Sequence, residues 1–393
     1  MEKVLLTEVI DSLKIPRDRL FELNRKKQID VQLISGKKFY HLDEVRNALA
    51  TNLDKANAKY KINKSAKTQY TSIELFSGCG GLALGLKNSG INSDLLVEID
   101  KDSCETLHAN FKNTKIICDD IANVDFKKYK NKIDIIAGGF PCQAFSYAGK
   151  SKGFEDTRGT LFFDFARSVK EVNPKVAIGE NVRGLISHDK GQTLLTMVKV
   201  LEDLGYNVQY KLLLAQYFNV PQKRERVFIV ATRKDLPNTY KYPEELDYFV
   251  PLEVALKDCP PSEGQEYPKR KKEIMDMVPQ GGYWKDLPIE IQKEYMKGSF
   301  YLGGGKTGTA RRLSMKEPSL TLVTSPAQGQ TERCHPIETR PLTIRESARI
   351  QTFPDSWKFS GSLGSQYKQI GNAVPVNLAY HVGKSVVKYL KDT

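Results

Sequence analysis

An α/β fold built around a parallel sheet is what this sequence predicts, on three observations. From about residue 71 to 232, apolar strand, turn and amphipathic helix alternate, which is the sequence form of a parallel sheet with covering helices. A glycine turn, Gly78-x-Gly80-x-x-Ala83, follows the first of those strands, where such a sheet opens its ligand crevice. Helical spacing then returns at 343–351 and 376–390, after a stretch that has lost the rhythm.

Residues 1–53 form a short helical block, with apolar spacing at 7–13 and 17–25, a run at 31–41 with Gly36 at its tip, and a last helix at 43–50. That order resembles a winged helix-turn-helix. The first 70 residues carry 15 Lys and Arg against 9 Asp and Glu. Two readings of this block stand: contact with DNA, or a small bundle used for packing or dimer contacts. Residues 54–70 are polar and lysine-rich and read as a linker. Within 71–232, β-branched runs place strands at 71–76, 95–99, 115–118, 133–137, 176–179 and 227–231. The clearest helix spans about 160–172, with Leu161, Phe165, Val169 and Val172 on one face. Residues 233–335, rich in Pro, Gly, Tyr and Lys, read as a loop-dominated second domain. Residues 336–393 return to helical spacing, and Pro375 suits the first turn of the last helix.

The net charge of +13, from 60 basic and 47 acidic residues, suits a polyanionic partner, because Lys and Arg displace condensed counterions from phosphates. An ordinary basic surface explains it equally well. No apolar run approaches the ~20 residues that cross a bilayer. The opening MEKVLLTEVIDSLK has acidic residues inside its short apolar stretch, so it reads as folded protein and not as a signal peptide. The six cysteines (Cys79, Cys104, Cys118, Cys142, Cys259 and Cys334) form no CxxC pair and have no His cluster at zinc spacing. That pattern predicts reduced thiols in a cytoplasmic protein, and no metal.

The predicted strand ends carry the chemistry. The glycine turn suits a nucleotide-type ligand, and Glu98 follows at the spacing where an acid holds ribose hydroxyls. On this segment alone S-adenosylmethionine, a dinucleotide and a turn that merely packs a helix stand equal. Strand three runs into Asp119-Asp120, strand four ends in Gly139-Phe140-Pro141-Cys142-Gln143, and strand five ends in Glu180-Asn181. A cysteine and a glutamate without a placed histidine are poor equipment for acyl transfer. They suit conjugate addition to a pyrimidine, with the thiolate at C6 of cytosine and an acid at N3, leaving C5 nucleophilic.

The segments IELFSGCGG, GGFPCQAFSYAGKSKGFEDTRGTLFFDFAR, GENV, PQKRERVFIVAT, RPLTIRESARIQTFPD and QIGNAVPVNLA together, and in the usual order, resemble the bacterial-type DNA cytosine-5 methyltransferases over about residues 70–393. The resemblance implies an S-adenosylmethionine-dependent methyltransferase fold. That is a Rossmann-like, mixed seven-stranded sheet over 71–232, a smaller target-recognition domain over 233–335, and a return to the catalytic domain over 336–393. Cys142 would be the covalent nucleophile and Glu180 the contact to N3 and the exocyclic amine. Arg226 would be the active-site arginine, with Arg224 its supporting neighbour.

The cofactor site would use Phe76, Gly78, Gly80, Glu98 on the ribose, Asp120 on the adenine edge, Pro141 and Asn372. Ile99 stands where some relatives carry a tryptophan, which predicts an aliphatic wall against the adenine. Residues 144–163 resemble the family's mobile active-site loop, with Gln143 and Ser146 as DNA contacts, and Thr321-Leu322 resembles the threonine-leucine signature of its recognition domains. Residues 303–312 mix glycines with cations, as a groove-facing loop would. Partners implied are double-stranded DNA and, functionally, a cognate restriction endonuclease. The rivals are a tRNA cytosine-5 methyltransferase, a nicotinamide oxidoreductase, and a DNA-binding regulator on an inactive methyltransferase fold.

Overall fold

Consecutive residues facing opposite ways build the centre of the molecule. Ile136, Ala177 and Ile229 point to one face of a sheet, and their chain neighbours Ile135, Ile178 and Phe228 to the other. The computed structural model describes residues 3–13, 15–64, 67, 69–141 and 161–393. Its first elements are β1 (Lys3–Leu5), α1 (Leu6–Leu13), α2 (Arg17–Arg25), β2 (Val31–Ile34), β3 (Lys37–His41) and α3 (Leu42–Lys59). Strands β1 and β2 flank β3, both antiparallel to it. The β2–β3 turn places both Ser35 and Gly36 at positive φ, the geometry that matches strand twist in two-residue hairpins. Val9, Leu20, Leu23, Ile29, Tyr40 and Val45 form the core of this block.

The main body follows with β4 (Tyr70–Leu75), α4 (Gly81–Ser89), β5 (Ile91–Glu98), α5 (Lys101–Asn110), β6 (Lys115–Cys118), β7 (Ile135–Gly138), α6 (Leu161–Val172), β8 (Val176–Val182), α7 (Gln192–Asp203), β9 (Tyr206–Leu214), β10 (Gln222–Lys223) and β11 (Glu225–Arg233). Seven strands form one mixed sheet in the order β6-β5-β4-β7-β8-β11-β9. The strands from β6 to β8 are parallel, whereas β11 runs antiparallel to both of its neighbours. Helices α6 and α7 bury Phe165, Val169, Met197 and Leu201 on one face. Helix α4 and the last helix cover the other. The strand order reverses between β4 and β7, so their carboxyl ends frame the crevice where open α/β sheets bind ligands.

Residues 234–393 add α8 (Leu252–Ala255), α9 (Lys269–Asp276), α10 (Ile289–Met296), β12 (Ser319–Leu320), α11 (Ile344–Ile350), α12 (Leu363–Asn372) and α13 (Val376–Lys391). The loop-rich part has its own small core of Ile274, Met275, Trp284, Leu287, Met296 and Cys334. No helix among the described residues is long and apolar enough to cross a membrane.

Three expectations change. Strand β9 carries no β-branched run and was absent from the sequence reading. It lies at the sheet edge, where one row of side chains is solvated, and interleaves Asn207, Gln209 and Lys211 with its apolar residues. The linker begins later than residue 54, because α3 continues to Lys59 and packs Ala56 against Tyr248 and Val250. The thiols are not all reduced: Cys104 in α5 and Cys118 at the end of β6 are joined as a disulfide, with Cα atoms 5.9 Å apart. Their separation of 14 residues carries no motif. The fold brings them together by returning α5 beside β6.

Candidate active site

Tight backbone at the end of β4 shapes the first half of the site. Phe76, Gly78 and Gly80 all have positive φ, which is ordinary for the glycines and strained for phenylalanine. At Gly80 a side chain would be strained and crowded as well, since a Cβ would meet the Phe111 ring at 2.8 Å. The turn brings the Gly78 amide to Glu98, donating to Oε2 at 2.7 Å. The Ile99 and Asp100 amides donate to Oε1 at 2.9 Å each. Three backbone donors therefore aim one carboxylate, and part of its acceptor capacity stays free for a ligand. Asp120 accepts from the Ala122 amide at 2.9 Å and stays exposed.

A cleft of about 240 Å³ opens here, lined by Phe76, Val97, Glu98, Ile99, Asp119, Asp120, Ile121, Pro141 and Leu161. Its walls are aliphatic and aromatic with carboxylates at one side, which fits a nucleoside carrying ribose hydroxyls and an amino-purine edge. Of the expected cofactor residues, Phe76, Glu98, Ile99, Asp120 and Pro141 meet in it. The glycines hold its rim through Glu98. Asn372, exposed at the end of α12, is not among its walls.

The second half is built by strand register. Gly138 of β7 pairs with Gly179 of β8, so the next residues, Gly139 and Glu180, lie side by side. A Cβ on Gly139 would stand 2.9 Å from Glu180 Oε2. Asn181 donates through Nδ2 to the Phe140 carbonyl at 2.8 Å and so clamps the strand end leading to Pro141. Sequence reasoning quoted Asn181 in its motif without assigning it this work.

On the neighbouring β11, Arg226 sets Nε 2.7 Å from Glu180 Oε1. Among the described residues no N–H is aligned with that oxygen for a hydrogen bond, so the pair is held as an ion pair. Burial pushes the Glu180 carboxyl above its usual range, against the pull of Arg226 and then Arg224. The Arg226 guanidinium is lowered by burial and sustained by Glu180. Arg224, 1% exposed, turns away and donates to the carbonyls of Gly371 at 2.9 Å and Leu322 at 3.3 Å. Cys142, Gln143 and Ser146, with the rest of 142–160, lie outside the described residues.

Glu74, which the sequence reading passed over, is buried in β4 beneath the glycine turn. Burial drives its carboxyl well above the usual range, the Ala83 amide opposes this, and Glu98 adds to it. An acid between Ile73 and Leu75, near the end of a buried strand, is the available signal.

In the loop-rich segment 233–335, Thr321 donates its hydroxyl to the Lys223 carbonyl at 3.0 Å. The glycine-rich stretch departs from a row of groove-facing cations. Arg312 is buried and donates to the Met275 and Val278 carbonyls at 2.7 and 2.8 Å, and to Thr339 Oγ1 at 2.7 Å. A guanidinium with five donors is well suited to stapling loop carbonyls that no sheet satisfies. Arg311 lies 4.8 Å over the Tyr283 ring, while Tyr301 and Leu302 stand exposed at 78% and 66%.

Known proteins resemble the chain as a whole. The family model for C-5 cytosine-specific DNA methylases matches residues 70–388. The Type II methyltransferase M.Eco47II of Escherichia coli is 52% identical, over 99% of this chain and 96% of that protein. M.PspPI of Psychrobacter sp. (strain TA137), also a Type II methyltransferase, is 59% identical over 82% of this chain and 80% of its own length. Among solved structures, Spodoptera frugiperda DNMT2 superposes with a TM-score of 0.60 at 17% identity, covering 82% of this chain and 100% of that chain, which is a likeness of fold.

Proposed function

We infer the function from a plain premise: this chain belongs to the C-5 cytosine-specific DNA methylase family and is a DNA cytosine-5 methyltransferase of the Type II restriction-modification kind. The finer reading is methyl transfer to C5 of a cytosine turned out of the duplex, through a covalent bond between Cys142 and C6. The observation that carries it is the buried Glu180–Arg226 pair joining β8 and β11, with Glu180 beside Gly139, the residue three before Cys142 in the chain.

Cytosine inside a stack cannot reach these groups, so extrusion at a cost of a few kcal/mol precedes chemistry. Glu180, with its raised pKa, donates a proton toward N3, and Arg226 holds the carboxyl in place. The Cys142 thiolate adds to C6, the ring electrons move to C5, and N3 is protonated. When bound, S-adenosylmethionine supplies the electrophilic methyl group that C5 takes. With the thioether S-adenosylhomocysteine left behind, loss of the C5 proton to a base then restores the double bond and expels the thiolate, while N3 returns its proton to Glu180. Phe76, Gly78, Gly80, Glu98, Ile99, Asp120, Pro141 and Asn372 are the residues assigned to hold the cofactor. The loop assigned to close over the base, residues 144–163, lies outside the described residues except for Leu161–Phe163, which open α6 with Phe162 buried. Residues 233–335 are assigned to read the sequence, with Gln143, Ser146 and Thr321 as contacts, the Thr321 hydroxyl also donating to the Lys223 carbonyl. The biological setting is a cytoplasmic enzyme paired functionally with a restriction endonuclease.

Transfer of labelled methyl to mixed-sequence duplex, with bisulfite mapping, tests this directly. Wild type should label cytosine within one short motif, Cys142→Ala should abolish label, and Glu180→Gln should lower the rate by about 10²–10⁴. Label on tRNA in place of DNA would overturn the substrate. Near-wild-type activity of Glu180→Gln would remove the proton-donor role.

A further inference from the structure

The N-terminal block, which lies outside the family match, reaches into the joint between the active-site strand and the recognition segment. In β10, Lys223 immediately precedes Arg224, and β10 pairs in parallel with β12 of the recognition segment. Beyond that pairing, the Leu322 amide donates to Gln222 Oε1 at 2.9 Å. Thr321 and Arg224 close the joint from either side through the bonds already described. The position of the recognition segment is thus tied to the strand that carries Arg226.

A charge cluster centred on the buried Arg19–Glu317 pair, with the exposed Asp18 at its edge, ties the N-terminal block to this joint. Arg19 of α2, 1% exposed, donates through Nε and Nη2 to Glu317 at 3.0 and 2.7 Å. Glu317 stands two residues before β12 and also meets Lys223 Nζ at 3.0 Å. Asp18 pairs with the same Lys223 at 2.9 Å. The remaining Arg19 nitrogen, Nη1, donates to Glu22 at 2.6 Å, and its guanidinium lies 3.4 Å over the Phe249 ring. A two-pronged, stacked arginine fixes direction as well as distance. Simple adhesion between the two bodies needs no buried charge, since apolar contacts of similar volume hold a surface at least as well. The cluster is therefore placed to set an angle.

We propose that Arg19 is a positioning residue for target recognition: through Glu317 and Lys223 it holds β12 against β10 and so sets the recognition segment relative to the active-site arginines. This rests on the reading of 233–335 as the part that reads DNA. The N-terminal block is then a brace for the recognition segment, whatever else its exposed surface contacts.

The test uses the full chain with Arg19→Met, Arg19→Lys, and the charge-neutral double variant Arg19→Met/Glu317→Gln, which removes the buried Glu317 carboxylate together with its arginine, while Glu22 keeps its hydrogen bond from Gln216. For Arg19→Met, kcat/KM on duplex containing the wild-type motif should fall by about tenfold or more. Discrimination against one-base variants of that motif should narrow, while affinity for S-adenosylmethionine stays within about twofold. Arg19→Lys should recover part of the loss. A folded variant with a lowered unfolding midpoint but unchanged kcat/KM and discrimination would reduce Arg19 to a structural contact and overturn the proposal.

Hydrogen exchange separates this from failure of the functional reading, because it needs no activity. Amides at 319–322 and 222–224 should exchange faster in Arg19→Met, or in the double variant should the single one not fold. Unchanged exchange there would overturn the coupling. Wild type that transfers no methyl to DNA, yet shows the exchange effect in the variant, would instead overturn the substrate reading and leave the brace standing.

Discussion

At the scale of single residues, burial sets what each ionisable group can do. Glu180 and Glu74 are both pushed toward the neutral form, but only Glu180 borders the crevice with an arginine beside it. His381 shows the same physics on a base. It lies in α13 with its ring 5.6 Å from Phe218, and burial holds its pKa down to about 4. In the unfolded chain a histidine titrates near ~6.5. Between those values the unfolded state binds the extra proton, so this contribution is fully present above about pH 6.5 and is lost as pH falls toward 4. The shift corresponds to at most about 3 kcal/mol. Urea unfolding of wild type and His381→Phe from pH 7.5 to 4.5 checks it: wild type should lose more stability on acidification than the variant. Parallel pH profiles would show that His381 is not the group responsible.

At the scale of elements, close helix contact keeps the cofactor half rigid. Helix α4 leaves the glycine turn and lies against α13. A Cβ at Gly85 would come within 2.3 Å of the Ala379 Cβ and 2.5 Å of the Val376 carbonyl oxygen. Alanine at a helix interior gains about 1 kcal/mol of propensity over glycine. Here the obstacle includes backbone, which cannot swing aside, so overpacking of about 1–3 kcal/mol should prevail. Gly85→Ala is expected to lower the unfolding midpoint and weaken S-adenosylmethionine binding, read by denaturation and calorimetry. A more stable variant would mean that α13 yields easily. The RPLTIRE segment owes its composition to a similar local need. Thr343 and Glu346 cap α11 reciprocally, and Arg340 holds Glu346 through two bonds of 2.8 Å.

At the scale of the whole molecule, the surplus of +13 matters for encounter with a polyanion. Duplex affinity should fall steeply with salt, by about 10³–10⁵ between 50 and 200 mM if six to ten phosphates are contacted. S-adenosylmethionine affinity should change far less over that range. Titrations of both ligands at several salt concentrations measure the two slopes, and a flat DNA slope would remove phosphate contacts from the account. Many basic residues do not contribute freely. Arg19, Arg224, Arg312 and Arg333 are buried, and they bond to carbonyls or carboxylates of the chain itself.

The sequence by itself determined six of the seven strands of the main sheet with their intervening helices, the glycine turn and the family, because periodicity and short motifs are local properties. Glu98 closes β5 and Asp120 and Pro141 follow the ends of β6 and β7, as the strand reading expects, whereas Glu180, expected just past its strand, lies within β8 two residues before its end. Tertiary structure alone decided the rest. Edge position makes a strand of the half-polar β9, and packing against Tyr248 and Val250 extends α3. Arg312 looked like a DNA contact until its carbonyl partners were in place. Arg19 meets Glu317 across 298 residues of chain. Such pairings leave no periodic trace, since a buried charge is specified by whatever the completed fold brings within hydrogen-bond distance of it.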